Sequence, residues 1–155
     1  MVESSVRRRL AAILAADVVG YSRLMAEDES GTLERLKALR RQLIDPQIAK
    51  HHGRIVKLIG DGALVEFASV VDAIQCAASI QRMIAQGPPD TPRIRLRIGI
   101  NLGDVIVEGK DLYGDGVNIA ARLQALAEPD GIFVSGTAFD HAANKVDLGF
   151  EDERR

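Results

Sequence analysis

The residues from Arg54 to Phe67, Arg-Ile-Val-Lys-Leu-Ile-Gly-Asp-Gly-Ala-Leu-Val-Glu-Phe, constrain this chain more than any other stretch. Two short runs rich in Ile, Leu and Val flank Gly60-Asp61-Gly62. Glycines on both sides of one Asp are what a tight reversal between antiparallel strands requires, so the stretch predicts a β-hairpin with a carboxylate at its tip. Taken singly, Asp61 needs no function, because Asp-Gly is a common hairpin turn for backbone reasons alone.

The chain around it fits one domain spanning residues 1–155. With 46% hydrophobic and 27% charged residues, 155 residues can bury a core large enough to fold unaided. Aromatics make up only 4% and Trp is absent, so that core must be aliphatic. A net charge of −2 argues against a nucleic-acid partner held by bulk positive potential, while leaving room for a local basic pocket. Cys76 is the only cysteine, which excludes an internal disulfide and zinc sites of the paired-cysteine kind. His51, His52 and His141 suit surface roles. Arg7-Arg8-Arg9 followed by Leu10 to Ala16 has the outline of a signal peptide, but Asp17 interrupts the apolar run and no small-residue cleavage pattern follows. A buried strand from Leu10 to Ala16, ending at Asp17, is the better reading. No run approaches the roughly 20 apolar residues of a membrane span. The expectation is a soluble, cytoplasmic protein with no membrane insertion in this chain.

Gly20 to Met25 reads as a turn. A long helix follows from about Asp28 to His52, with Leu33, Leu36, Leu39, Leu43 and Ile48 forming one buried stripe. Pro46 should kink or split it, and Gly53 should end it. After the hairpin comes a helix from about Val70 to Gln86, with Val70, Ile74, Ala77, Ile80 and Ile84 on one face, then a break at 87–92. From Arg93 to Ile100, Arg and aliphatic residues alternate, as in a strand with one face in the core. Asp104 to Glu108 reads as a further strand, paired with it through Asn101-Leu102-Gly103. A loop from Gly109 to Gly114 leads into a helix from about Asp115 to Ala127. Ile132 to Val134 is a short strand, and Gly136 to Asn144 a small helix.

This order predicts an α/β (α+β) sandwich, with helices over a mainly antiparallel sheet. If the first strand, long helix and second strand form a right-handed crossover, those strands run parallel and their carboxyl ends share one edge of the sheet. Asp17 closes the first strand and Asp61 lies just beyond the second. At about 4 Å two carboxylates repel by roughly 4 kcal/mol at an effective dielectric of 20. A fold that juxtaposes them either raises a pKa or binds a cation. Such oxygen ligands suit Mg²⁺ or Mn²⁺ completed by water and phosphate oxygens, the arrangement of metal-assisted phosphoryl or nucleotidyl transfer.

Three blocks carry a family resemblance: Ala16-Asp17-Val18-Val19-Gly20-Tyr21-Ser22, Lys57-Leu58-Ile59-Gly60-Asp61-Gly62, and the run from Asp111 to Arg122, Asp-Leu-Tyr-Gly-Asp-Gly-Val-Asn-Ile-Ala-Ala-Arg. In order and spacing they resemble the signature blocks of the class III adenylate/guanylate cyclase catalytic domain, over about residues 8 to 150. The resemblance implies a ferredoxin-like βαββαβ core and an adenylate cyclase (a phosphorus-oxygen lyase) making 3′,5′-cyclic AMP and pyrophosphate from ATP. Asp17 and Asp61 would bind two divalent cations, Mg²⁺ or Mn²⁺. Backbone amides from Val18, Val19, Gly20, Tyr21 and Ser22 would cradle the phosphates. Lys57 and Asp111 match the base-selecting pair: a donor for adenine N1 and an acceptor for the 6-amino group, the opposite of what guanine needs. Asn118 and Arg122, four apart on one helix face, match the transition-state pair, with Asn118 orienting the ribose and Arg122 meeting charge on the α-phosphate.

In this family the metal acids of one chain meet the other groups from a second, which implies a head-to-tail homodimer with two shared sites. One departure stands out. Members usually continue past the segment matching Gly149-Phe150-Glu151-Asp152 into a strand pair carrying a Lys for the triphosphate, and here the sequence stops at Arg155. Lys145 lies too early to replace it. A catalytically weak or silent cyclase-like domain that binds nucleotide or a partner is therefore the alternative, and a regulatory small-molecule module unrelated to cyclases is a third. Residue by residue, blander readings also exist: Lys57 as a snorkelling surface side chain, and Asn118 and Arg122 as a solvated helix face.

Overall fold

The structure is a computed structural model that describes residues 7–87, 93–146 and 149. The central strand, β1 (Arg7–Val18), begins three residues earlier than its apolar run and includes Asp17. Ala12, Leu14 and Val18 enter one core, while Ala11, Ile13 and Ala15 enter another on the opposite face. Burial on both faces is why this strand reads as an almost unbroken apolar run.

Gly20, in the left-handed conformation at φ 63°, starts a helix where a simple turn was expected: α1 (Tyr21–Glu27). Asp28 ends α1 and caps α2 (Glu29–Leu39), its carboxylate accepting from the Gly31 amide. The expected long helix is thus a succession of pieces. A π-helical turn, Arg40–Ile44, joins α2 to α3 (Asp45–Lys50), and Pro46 follows directly on that turn, where the regular i→i−4 ladder is already interrupted by the Asp45 amide bonding to the Arg40 carbonyl.

The hairpin forms as predicted, from β2 (Gly53–Ile59) and β3 (Gly62–Phe67). Next, α4 (Val70–Ala85) buries Val70, Ile74, Ala77, Ile80 and Ile84, all five predicted stripe residues. The break expected at 87–92 lies, after Gly87, outside the described residues, as does the segment from Phe150 onward.

One expectation is overturned. Asn101-Leu102-Gly103 is not a turn, because β4 (Leu96–Glu108) is a single strand of 13 residues. It pairs antiparallel with the whole length of β1, from Arg7↔Val107 to Val18↔Leu96, and that continuous ladder outweighs local turn propensity. Asn101 is buried and donates to the Gly116 carbonyl at 3.0 Å. The loop expected at 109–114 also contains a short strand, β5 (Asp111–Tyr113), folded back on β4. Then follow α5 (Asp115–Leu126), β6 (Ile132–Val134), parallel to β4, and α6 (Gly136–Ala142).

The strand order is β2-β3-β1-β4-β5. Because β3 lies antiparallel between β1 and β2, those two run parallel, as the crossover argument requires. The result is the expected α+β sandwich. Helices α2, α3, α4 and α6 cover one face, with Leu36, Ile48, Ile74, Ile80 and Ala138 against Leu14, Phe67, Ile98 and Ile100. Among the described residues only α5 covers the other, setting Ala120 against Ile13, Val105 and Leu112.

Candidate active site

Asp17 and Asp61 meet at the end of β1. The Ile59↔Gly62 pair closes the hairpin, with Gly60 at φ 58° in its turn. A side chain at Gly62 would stand 2.9 Å from the Ala16 carbonyl oxygen, so glycine there lets the turn close onto β1. The Asp61 carboxylate accepts from the Val18 amide at 2.8 Å. Burial pushes the Asp17 carboxyl above its usual range, and the Asp61 charge adds to the rise, while the nearby Gln124 amide and Arg97 charge oppose it. Asp17 Oδ1 is buried without a hydrogen-bond partner. An orphaned carboxylate oxygen beside a second carboxylate suits a hard divalent cation. Among the described residues no group of three or more His, Cys, Asp or Glu could hold a metal, so the other ligands of such an ion must come from outside this pair.

Lys57 and Asp111 are also brought together, with Lys57 Nζ 2.8 Å from Asp111 Oδ1. They belong to β2 and β5, the two ends of the strand order, so the sheet is curled until its outer strands touch. A β-bulge lets them face each other. The register passes from Ile55↔Val65 directly to Lys57↔Leu64, leaving Val56 unpaired. That extra residue turns Lys57 onto the α5 side, the side on which Leu64 is buried. Tyr113 completes the cluster, its ring centroid 4.8 Å from Lys57 Nζ. Hydrogen bonds from Lys57 and Tyr113, then from the Leu112 amide, hold the Asp111 carboxyl down at about 2.

Asn118 and Arg122 lie exposed on the outer face of α5, and neither side chain has a partner among the described residues. This chain does not bring them to its own carboxylates by any contact. In the proposed phosphate turn the Val18 amide is taken by Asp61 and the Val19 amide by the Arg95 carbonyl at 2.8 Å. Gly20, Tyr21 and Ser22 are the amides left over. Sequence reasoning missed Gln124 and Arg97 beside Asp17, the Tyr113 ring and the bulge at Val56. A Tyr two residues after the matched Asp was the one visible signal among these.

The fold thus gathers two carboxylates at the carboxyl ends of parallel strands and a donor–acceptor pair at the meeting of the outer strands. Comparison places it in a family: residues 5–155 match the adenylate and guanylate cyclase catalytic domain, and the chain belongs to that family. It is 49% identical over 155 residues to the Rhizobium meliloti (strain 1021) protein named "Putative adenylate cyclase 3", covering 98% of this chain and 26% of that protein. It is 36% identical over 140 residues to an adenylate cyclase of Streptomyces coelicolor, covering 88% of this chain and 35% of that protein. The chain therefore spans about a quarter to a third of these relatives. The crystal structure of an adenylate/guanylate cyclase/hydrolase from Silicibacter pomeroyi superposes with a TM-score of 0.91 at 48% identity, covering 97% of this chain and 89% of that one. Among the described residues no helix is long and apolar enough to cross a membrane.

Proposed function

We propose that this domain is an adenylate cyclase, converting ATP to 3′,5′-cyclic AMP and pyrophosphate by in-line attack of the ribose 3′-oxygen on the α-phosphorus. The observation that carries the reading is the 2.8 Å contact between Lys57 and Asp111, residues distant in sequence that match the family's base-selecting positions. An ammonium has three donors and a carboxylate several lone pairs, so each can hold the other and still address a base. Lys57 then donates to adenine N1 and Asp111 accepts from the 6-amino group. Guanine in the same place would leave buried groups unpaired, at about 1–3 kcal/mol each. The naming of both curated relatives as adenylate cyclases supports the same choice.

Asp17 and Asp61 hold the divalent ions, Mg²⁺ or Mn²⁺, two per site. When occupied, the site supplies Lewis-acid activation of the 3′-hydroxyl and neutralises triphosphate charge. The amides of Gly20, Tyr21 and Ser22 receive phosphate oxygens. Asn118 orients the ribose, and Arg122 stabilises charge developing on the α-phosphate. The exposure of that last pair fits a head-to-tail homodimer in which each site takes its carboxylates from one chain and Lys57, Asp111, Asn118 and Arg122 from the other.

The test is a product assay on the purified protein with Mn²⁺ and either ATP or GTP. Cyclic AMP formed preferentially from ATP is the expected result. No cyclic nucleotide from a protein shown to be dimeric would overturn the enzyme reading, and a preference for GTP would overturn the base assignment.

A further inference from the structure

The contact between Lys57 and Asp111 depends on two outer strands that share no backbone ladder with each other. A side chain crosses that gap three residues before Lys57. Arg54 on β2 donates through Nη1 to the Lys110 carbonyl at 2.9 Å, in the turn that opens β5. Its Nη2 donates to Glu66 Oε1, also at 2.9 Å. Glu66 lies directly opposite Arg54 on β3, and its other oxygen accepts from Arg9 on β1. The Glu66 side chain is only 11% exposed, against 43% for Arg54. Arg54 is thus fixed at its base by a nearly buried carboxylate, itself anchored to the central strand, and reaches with its free nitrogen to the residue before Asp111.

We propose that Arg54, held by Glu66 and Arg9, is a positioning residue that clasps the β4–β5 turn against β2 and so sets the Lys57–Asp111 geometry that discriminates adenine from guanine. The inference rests on the base-selecting role proposed above for that pair. Both contacts of Arg54 are with the protein itself, so its role is to act through the pair. A planar guanidinium with donors on two nitrogens can serve Glu66 and the carbonyl together, whereas a lysine ammonium is a point charge that cannot match the fork. The clasp acts on the base subsite alone, since the carboxylates at Asp17 and Asp61 have their own closure through Val18.

The experiment compares the whole protein with Arg54→Met, Arg54→Lys and Asp111→Asn. Arg54→Met leaves Glu66 paired with Arg9, and a melting curve confirms that it is folded; should it melt below the assay temperature, Arg54→Lys carries the same comparison. Hydrogen exchange without nucleotide reads the clasp. Arg54→Met is expected to speed exchange over residues 109–114 about tenfold and leave 132–142 unchanged, with Arg54→Lys between. Steady-state rates with ATP and GTP read its consequence. The ATP-to-GTP ratio of kcat/KM is expected to fall about three- to tenfold, the worth of roughly one hydrogen bond, through KM for ATP more than through kcat. Unchanged exchange at 109–114 in both Arg54 variants overturns the clasp. Faster exchange with an unchanged ratio, in a protein where Asp111→Asn does change it, overturns the link to discrimination. If the ratio is also indifferent to Asp111→Asn, the base-selecting reading of the pair fails while the clasp itself stands.

Discussion

Gly99 is where the fold and the chemistry are most tightly tied, and Gly99→Ala is the perturbation that shows it. A Cβ built on Gly99 would lie 2.3 Å from the Gln124 backbone nitrogen and 2.5 Å from the Ala120 carbonyl oxygen. Both are backbone atoms in the middle of a helix, so no side-chain rotation relieves the overlap. Ordinary contact needs about 3.5 Å, so α5 must move away from β4 by roughly 1 Å. Overfilling of this kind costs about 1–3 kcal/mol, and the gap opened around Ala120 adds to it. Denaturant unfolding should therefore show a loss of about 3 kcal/mol. Asn118 and Arg122 travel with the helix, and a displacement of 1 Å in a group acting on the transition state can cost about 10²-fold in rate. The product assay should accordingly show a fall in kcat of that order with KM for ATP little changed. Gly136→Ala is the control, since nothing lies within 4 Å of its added Cβ, and stability there should hold or rise by about 0.4–1 kcal/mol. A loss at Gly99 below about 0.5 kcal/mol would show that α5 does not rest on β4 as described.

Three further outcomes follow from the site. Asp61→Asn retains an acceptor for the Val18 amide and should unfold within about 0.5 kcal/mol of the parent, whereas Asp61→Ala should lose about 1 kcal/mol; both should abolish Mn²⁺ binding by calorimetry, and retained binding in either would exclude Asp61 as a ligand. Asp17→Ala and Asn118→Ala chains, each inactive alone, should recover roughly a quarter of parental activity when mixed in equal amounts, because half the dimers then carry one intact site of two; no recovery would refute the shared site. Burial raises the Glu66 pKa, but hydrogen bonds from Arg9 and Arg54 outweigh it and leave the carboxyl below its usual value. Its stabilisation is then fully present above the unfolded value of about 4.3 and is lost as pH falls through the lower folded one. Melting temperature should drop less steeply with acid in Glu66→Gln than in the parent, and parallel curves would refute the assignment.

Much of this architecture is legible in the residues because burial is two-sided and periodic where it matters. The apolar run of β1, the stripe of α4 and the glycine-flanked turn at Asp61 each follow from a local rule that the tertiary structure reinforces. Asn101-Leu102-Gly103 misleads for the opposite reason. Its residue types favour a turn, yet a partner strand of 12 residues supplies a ladder that no isolated stretch of β4 reveals. The Asn101 side chain is spent inward, holding the first turn of α5. Lys57 is subtler still. By simple alternation from Ile55, whose side chain enters the core beneath α2–α4, it belongs on the helical face of the sheet. One unpaired residue at Val56 reverses that, and bulges have no reliable signature in a single sequence. Resemblance to a family could name Lys57 and Asp111 as partners, but only the register and the curl of the sheet explain how β2 and β5 bring them together.

The candidate side chains differ in how far one chain closes them. The carboxylates and the Lys57–Asp111 pair are each closed by contacts within one chain: Asp61 to Val18, and Lys57 to Asp111. Asn118 and Arg122 are different. The helix under them is seated without slack, with Gly116 against the Asp104 carbonyl and Gly99 against the Gln124 backbone, so it has no room to carry its outer face inward. Two polar side chains presented outward on a fixed helix cannot be recruited by rearrangement of their own chain, and ordering them by a hydrogen-bonding partner costs less when the backbone is already held. In the proposed homodimer a second copy would supply such a partner with no conformational change in either, and activity would then depend on protein concentration. Specific activity should fall on dilution through the dimer dissociation constant measured by sedimentation, and activity proportional to concentration across that range would show that one chain completes the site alone.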